Sequence, residues 1–273
     1  MNTEPILTEI DQRGVASLIL NRPEVHNAFD DVLIGRLSEA LDELAGDDTV
    51  RVVKVIGRGK SFSAGADLNW MRRMADYSEE ENLQDARKVA HMFHKLATFP
   101  HPTLAIVHGN AFGGGVGLIA CCDIAVANVD ARFSLSEVKL GLIPATISPF
   151  VIDAIGARQA RRLFLSAERF DGNAAKDFGL VHELSPLDRL DDAAEVFISQ
   201  LLENGPEAMA ASKKLVSAVA NHPIDEGVLG DVAARIARQR ASAEGREGVA
   251  AFLGKRPPAW IRIALPWFAP QLM

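Results

Sequence analysis

Short strand-like runs alternate with helical stretches along this chain through about residue 185, and that alternation constrains the fold more than any other feature. Ile6–Ile10 and Val15–Leu20 flank a turn at Gln12-Arg13-Gly14 and read as a β-hairpin. Asp30 or Asp31 can cap a helix whose apolar face is Leu33, Leu37, Leu41 and Leu44. A β-rich run from Val50 to Ile56, closed by Gly57-Arg58-Gly59, precedes a polar helix over Glu79–Leu96. Thr103–Val107 reads as a buried strand, Val116–Cys122 as a short helix apolar all round, and Asp123–Ala127 as strand again. This order predicts stacked βα or ββα units and an α/β fold. Past Leu184 the pattern changes to three helical stretches, Leu187–Glu203, Pro206–Ala220 and Asp225–Leu253. The expected division is therefore an α/β core over 1–200 and a helical region over 201–273. The last stretch, 261–273, is apolar with prolines and reads as either docked on a surface or poorly ordered.

Composition excludes several classes of function. Of the 273 residues, 48% are hydrophobic and 24% charged, as in a soluble globular protein with a full core. A net charge of -7 argues against nucleic acid as a partner, because phosphate neutralisation needs clustered Lys and Arg. No apolar run reaches ~20 residues, so no membrane span is expected. Met1-Asn2-Thr3-Glu4-Pro5 has neither a basic n-region nor an apolar h-region and is not Arg-rich. Cys121 and Cys122 are adjacent in an apolar stretch and read as small buried groups in a reducing, cytoplasmic setting. His91 and His94 have no companion ligands in sequence, so no metal is expected.

The chemistry concentrates in two small-residue loops and one carboxylate. Gly113-Gly114-Gly115-Val116-Gly117 follows a strand and opens a helix. Gly115-x-Gly117-x-x-Ala120 fits a dinucleotide fingerprint, but Gly109–Phe112 separate it from the strand, and Asp130 falls beyond the next strand. The glycines either let backbone approach an anion at a helix N-terminus or merely allow close helix–strand packing. Upstream lies Ser63-Ala64-Gly65-Ala66-Asp67-Leu68, and downstream Phe133-Ser134-Leu135-Ser136-Glu137. Backbone N–H groups from two such loops can hold a developing oxyanion, and a semi-buried Glu beside them can move protons.

His108–Leu118 with Cys122–Ala127, Leu20–Pro23, Asn27-Ala28, Ser61–Leu68 and Phe133–Pro144 together resemble the signature of the enoyl-CoA hydratase/isomerase (crotonase) superfamily. The likeness runs over about residues 5–255 and continues through Ala157-Arg158, Phe164–Ala167 and Gly179–Val181. It implies a spiral of ββα repeats with a helical C-terminal region that builds trimers, often paired into hexamers. It also implies an acyl-CoA thioester as substrate, with CoA arriving as part of it and no separate cofactor. The backbone N–H groups of Ala66 and Gly114 would form the oxyanion hole, with Glu137 as the acid/base. His26, Ala28, Ser63, Ala64, Asp67 and Leu68 would line the CoA pocket, and Phe252 and Lys255 would reach CoA from a C-terminal helix.

One departure bears on the reaction. Hydratases of this family commonly carry a glutamate two residues after the glycine run, where this chain has Gly117. A single carboxylate suits moving a double bond, which needs one base that takes and returns a proton. Against that, Ile143–Phe150 and Ala157–Arg162 resemble methylglutaconyl-CoA and isohexenylglutaconyl-CoA hydratases, enzymes of leucine and acyclic isoprenoid breakdown. In that case Glu137 manages both water and proton, and Gly117 leaves room for a branched acyl chain. The expectation is thus a 2-enoyl-CoA hydratase, with a Δ3,Δ2-enoyl-CoA isomerase as the alternative. A non-catalytic acyl-CoA-binding scaffold is the alternative of another class, disfavoured by the retention of Glu137 with both loops.

Overall fold

The computed structural model describes residues 4–261, so the expectation for the final stretch, beyond Ile261, lies outside the described residues. The opening hairpin forms as its sequence predicts, with β1 (Ile6–Ile10) antiparallel to β2 (Val15–Leu20). Every residue of β2 is buried, because its other edge pairs with β3 (Val52–Gly57) in parallel. Between them, α1 (Asp31–Ala45) starts at Asp30, whose carboxylate accepts the Leu33 N–H at 2.8 Å. The helix buries Leu33, Leu37, Leu41 and Leu44, the predicted face, together with Ile34 and Ala40.

Three ββα units follow. The first is β3, β4 (Ser61–Ser63) and the helices α2 (Leu68–Met74) and α3 (Glu79–Ala97). The second is β5 (Thr103–Val107), β6 (Asn110–Phe112) and α4 (Gly114–Cys121). The third is β7 (Ile124–Asn128), β8 (Arg132–Ser134) and α5 (Ser148–Ser166). A closing segment supplies β9 (Phe170–Asp171), α6 (Gly172–Phe178) and β10 (Glu183–Ser185). The first strand of each unit enters a six-stranded sheet ordered β1-β2-β3-β5-β7-β10, and the second enters a four-stranded sheet ordered β4-β6-β8-β9. Within the large sheet all pairs but β1–β2 are parallel, which accounts for the nearly unbroken apolar runs of β5 and β7. Asp123 and Thr103 fasten the entry of β7 to that of β5: the Thr103 N–H and hydroxyl donate to Asp123 Oδ2 at 2.8 and 2.9 Å. The Asp123 N–H returns a bond to Thr103 Oγ1 at 3.0 Å.

The chain divides into two compact units at Phe197/Ile198. Beyond the end of α7 (Leu190–Glu203), the second unit holds α8 (Pro206–Val219), α9 (Glu226–Ala241) and α10 (Ala243–Leu253). The sequence predicts one helix over Asp225–Leu253, whereas the structure breaks it at Ser242. That residue is extended (φ -67°, ψ 161°), and its hydroxyl caps α10 by accepting the Gly245 N–H at 2.9 Å. The Glu244 carboxylate accepts the Glu207 and Ala208 N–H groups at 2.9 and 2.7 Å, an anion placed on the free donors at the start of α8. Among the described residues no helix is long and apolar enough to cross a membrane, and no group of three His, Cys, Asp or Glu gathers as a metal site would.

Candidate active site

The site forms where the strands of the small sheet end. β4, β6 and β8 are parallel neighbours, so their C-terminal ends lie on one edge. Ala66 follows the end of β4, Gly114 the end of β6 and Glu137 the end of β8. The three residues singled out for chemistry are thereby brought together by the repeat itself.

Ala66 owes its orientation to Phe29. The Phe29 N–H donates to the Gly65 carbonyl at 2.7 Å, and the Asp67 N–H donates to the Phe29 carbonyl at 2.8 Å, an isolated parallel bridge between Phe29 and Ala66. Because the flanking residues make both bonds, the N–H of Ala66 itself points away from Phe29. Gly65 turns the chain there at φ +87°, and a Cβ on it would sit 3.1 Å from the Phe112 carbonyl oxygen.

Gly114 is the first residue of α4, where a backbone N–H has no partner within the helix. Gly113 before it adopts φ 50°, ψ -117°, a conformation that only glycine takes readily. Its N–H donates to the Ser134 carbonyl at 3.0 Å, and its carbonyl accepts from Val116 and Gly117 at 2.9 and 3.2 Å. A Cβ at Gly113 would lie 3.8 Å from the Gly65 Cα, so the two loops touch.

Glu137 opens a single 3-10 turn, Glu137–Leu140. Its Oε1 lies 3.1 Å from the Cβ position of Gly113, and its Oε2 is buried with no hydrogen-bond partner. Burial pushes the carboxyl above the usual glutamate value, and a hydrogen bond to its own backbone withdraws part of that shift. A carboxyl so placed can exchange a proton with whatever occupies the space in front of the two loops.

The expected CoA-lining residues separate into two groups. His26, Ala64 and Leu68 are exposed, and the Ala64 N–H donates to the His26 carbonyl at 2.9 Å, joining the two segments that the resemblance pairs. His26 Nδ1 stands 3.1 Å from Ser61 Oγ. Ser63, Asp67 and Ala28 are buried. The Ser63 hydroxyl donates to the Asn27 carbonyl at 2.9 Å and accepts the Gly65 N–H at 3.3 Å. Asp67 caps α2 through the Asn69 and Trp70 N–H groups at 2.8 and 3.3 Å. Burial pushes the Asp67 carboxyl up, but those donors and the Arg22 guanidinium outweigh it and hold the group below its ordinary value. The polar atoms of Ser63 and Asp67 hold the loop in shape. Phe252, mostly exposed, lies in the last turn of α10 in the second unit, and Lys255, two residues past the helix, adopts φ 48°.

Gly117 corrects a further expectation. A Cβ there would fall 2.3 Å from Ile147 Cγ2 and 3.0 Å from Phe93 Cε1, so the volume reserved for an acyl branch is filled by the protein's own buried side chains. The α4 face is apolar along its length: the Phe29 ring lies 3.2 Å from the Cβ position of Gly114 and packs on Phe93, which packs on Phe150. Gly117→Ala is expected to destabilise the protein by ~1–3 kcal/mol through overpacking, read as a lowered urea midpoint. In an Ile147→Ala background the same methyl costs less.

Two organising residues escaped sequence reasoning. Asn27 is fully buried at φ 54°, and its amide donates to the carbonyls of Arg58, Ser61 and Phe62 at 2.9, 2.9 and 3.1 Å. Arg22 ties the same region through its guanidinium. Each lies in a segment quoted for the resemblance, but nothing local in the sequence marks a polar side chain as buried.

Comparison with known proteins agrees with this arrangement. The sequence profile of the family described as enoyl-CoA hydratase/isomerase matches residues 10–262. The crystal structure of an enoyl-CoA hydratase from Shewanella pealeana superposes with a TM-score of 0.92 at 46% identity, covering 95% of this chain and 97% of that one. The 2,3-dehydroadipyl-CoA hydratase of Escherichia coli is 32% identical over 249 residues, 90% of this chain and 95% of its own. A mitochondrial Δ(3,5)-Δ(2,4)-dienoyl-CoA isomerase of Dictyostelium discoideum is 31% identical over 267 residues, 92% of this chain and 89% of its own. With the three ββα units, the paired loops and the half-buried glutamate already in place, these likenesses establish that the chain belongs to the enoyl-CoA hydratase/isomerase family of enzymes.

Proposed function

We propose that this protein is a hydratase that adds water across the C2–C3 double bond of a 2-enoyl-CoA thioester. The observation that carries the reading is the unpartnered, buried carboxylate oxygen of Glu137 beside two loops whose backbone N–H groups, on Ala66 and Gly114, are not used by the fold. The thioester oxygen sits between those two N–H groups, which stabilise it as negative charge develops. Glu137, ionised, takes a proton from water as the water oxygen bonds to C3. The π electrons of C2=C3 move onto the thioester as an enolate, and Glu137 returns the proton to C2 as the carbonyl re-forms. Hydrogen and hydroxyl are added, and the carboxylate is regenerated. His26, Ala64 and Leu68 present the exposed surface on which the CoA moiety lies, and CoA enters only as part of the substrate.

A second reading has its own support. The filled volume at Gly117 brings no second carboxylate from α4, and one acid/base is enough to shift a double bond from C3 to C2. Incubation with crotonyl-CoA and 3-hexenoyl-CoA in H₂¹⁸O separates the two. A 3-hydroxyacyl-CoA carrying ¹⁸O is the expected product. An unlabelled 2-enoyl-CoA from 3-hexenoyl-CoA, with crotonyl-CoA untouched, would make the protein an isomerase.

A further inference from the structure

Arg22 lies two residues past the end of β2, and its side chain is mostly shielded from solvent, at 18% exposure. Nη1 donates to the Ala28 carbonyl at 2.7 Å. Nη2 reaches two carboxylates, Asp30 Oδ2 at 3.0 Å and Asp67 Oδ2 at 3.2 Å. Each of these aspartates is the N-cap of a helix, Asp30 of α1 and Asp67 of α2. The backbone of Arg22 is held as well: its N–H donates to Asn27 Oδ1 at 2.9 Å, and its carbonyl accepts the Asn27 N–H at 2.8 Å.

These contacts surround one short stretch of backbone pairing. Ala28 and Asp30 are the neighbours of Phe29, and Asp67 is the neighbour of Ala66, so the guanidinium spans both sides of the Phe29–Ala66 bridge. That bridge has only two hydrogen bonds, from Phe29 to Gly65 and from Asp67 to Phe29, and it decides which way the Ala66 N–H points. An isolated bridge has no adjoining ladder to hold its register; the planar, multi-donor guanidinium supplies the missing constraint. We infer that Arg22 is a positioning residue for catalysis, acting through Asp67 to aim the backbone N–H of Ala66 at the substrate carbonyl. The inference rests on the oxyanion assignment made above.

The test uses butanoyl-CoA labelled with ¹³C at the thioester carbonyl, a saturated thioester that cannot be hydrated. Isotope-edited infrared spectra read how strongly the bound carbonyl is polarised. In the wild-type protein the carbonyl stretch is expected to fall on binding. In Arg22→Lys, which keeps the charge but not the fork, most of that lowering is lost. The kcat on crotonyl-CoA drops about 10- to 100-fold, the cost of a misaimed group, while KM changes far less. Asp67→Asn provides a second variant, because asparagine still caps α2 but no longer pairs with Arg22 as an ion; it should show the same loss to a smaller extent. A full carbonyl shift with unchanged kcat in Arg22→Lys, or in Asp67→Asn should Arg22→Lys fail to fold, overturns the inference and leaves the oxyanion assignment standing. Absence of any shift in the wild-type protein overturns the oxyanion assignment, and the inference with it.

Discussion

Glu137→Gln is expected to lower kcat by about 10²–10⁴-fold, the range for loss of a positioned acid/base, while acyl-CoA affinity stays nearly constant. Glutamine has almost the same shape and leaves Gly113 and both loops undisturbed, so the loss isolates proton transfer. The pH profile carries a second signature. Burial raises the Glu137 carboxyl, so the acid limb of kcat/KM in the wild-type protein should lie above the ordinary glutamate value. Stability moves in the opposite sense. A carboxyl whose folded pKa is raised contributes stability that is complete below its unfolded value and is lost as pH rises through the folded one. Above that window the wild-type protein confines a charged, unpartnered oxygen that glutamine lacks. The variant is therefore expected to unfold at higher urea concentration than wild type at neutral pH, with the advantage shrinking below the ordinary carboxylate range. Wild-type activity in Glu137→Gln would sink the assignment of the base.

Ala66→Pro is expected to raise the barrier by ~3–4 kcal/mol, roughly 10²–10³-fold in kcat, because proline has no N–H to offer the thioester oxygen. The substitution is informative here because the bonds of the Phe29 bridge belong to Gly65 and Asp67, so no hydrogen bond of the fold is lost with the Ala66 N–H. Steady-state kinetics on crotonyl-CoA with a matched thermal melt checks it: a large kcat loss with a small change in melting supports the donor role. A loss confined to KM would instead place Ala66 in binding alone.

The parts of the molecule legible in sequence are those where burial repeats with a short period. The leucine face of α1, the apolar runs of β2, β5 and β7, and the capped helix α3 all follow from local patterning. The strands β4, β6 and β8 have three residues each, too few for alternation to register, and so the second sheet is invisible until its partners are known. The same limit governs the site. Glu137 and the two loops stand out by composition, but the packing of Ile147 against Gly117 joins residues thirty apart in sequence and reverses the meaning of that glycine. The roles of Arg22 and Asn27 are invisible in sequence because their acceptors are carbonyls and carboxylates supplied by other loops. The bonds that Ser63 and Asp67 make to neighbouring backbone likewise become visible only once the loop is folded.

The parallel order β4-β6-β8 also acts as a ruler. Adjacent strands stand about 4.8 Å apart, and the loops that carry Ala66, Gly114 and Glu137 leave three neighbouring strands in turn. In the proposed reaction this order keeps Glu137 beside the carbons nearest the thioester oxygen along the acyl chain. Lengthening the substrate leaves this spacing unchanged, because the pitch belongs to the backbone rather than to any side chain. Under that proposal, sequence drift among the surrounding residues retunes which tail is accepted, while the spacing between the oxyanion loops and the acid/base is set by the sheet.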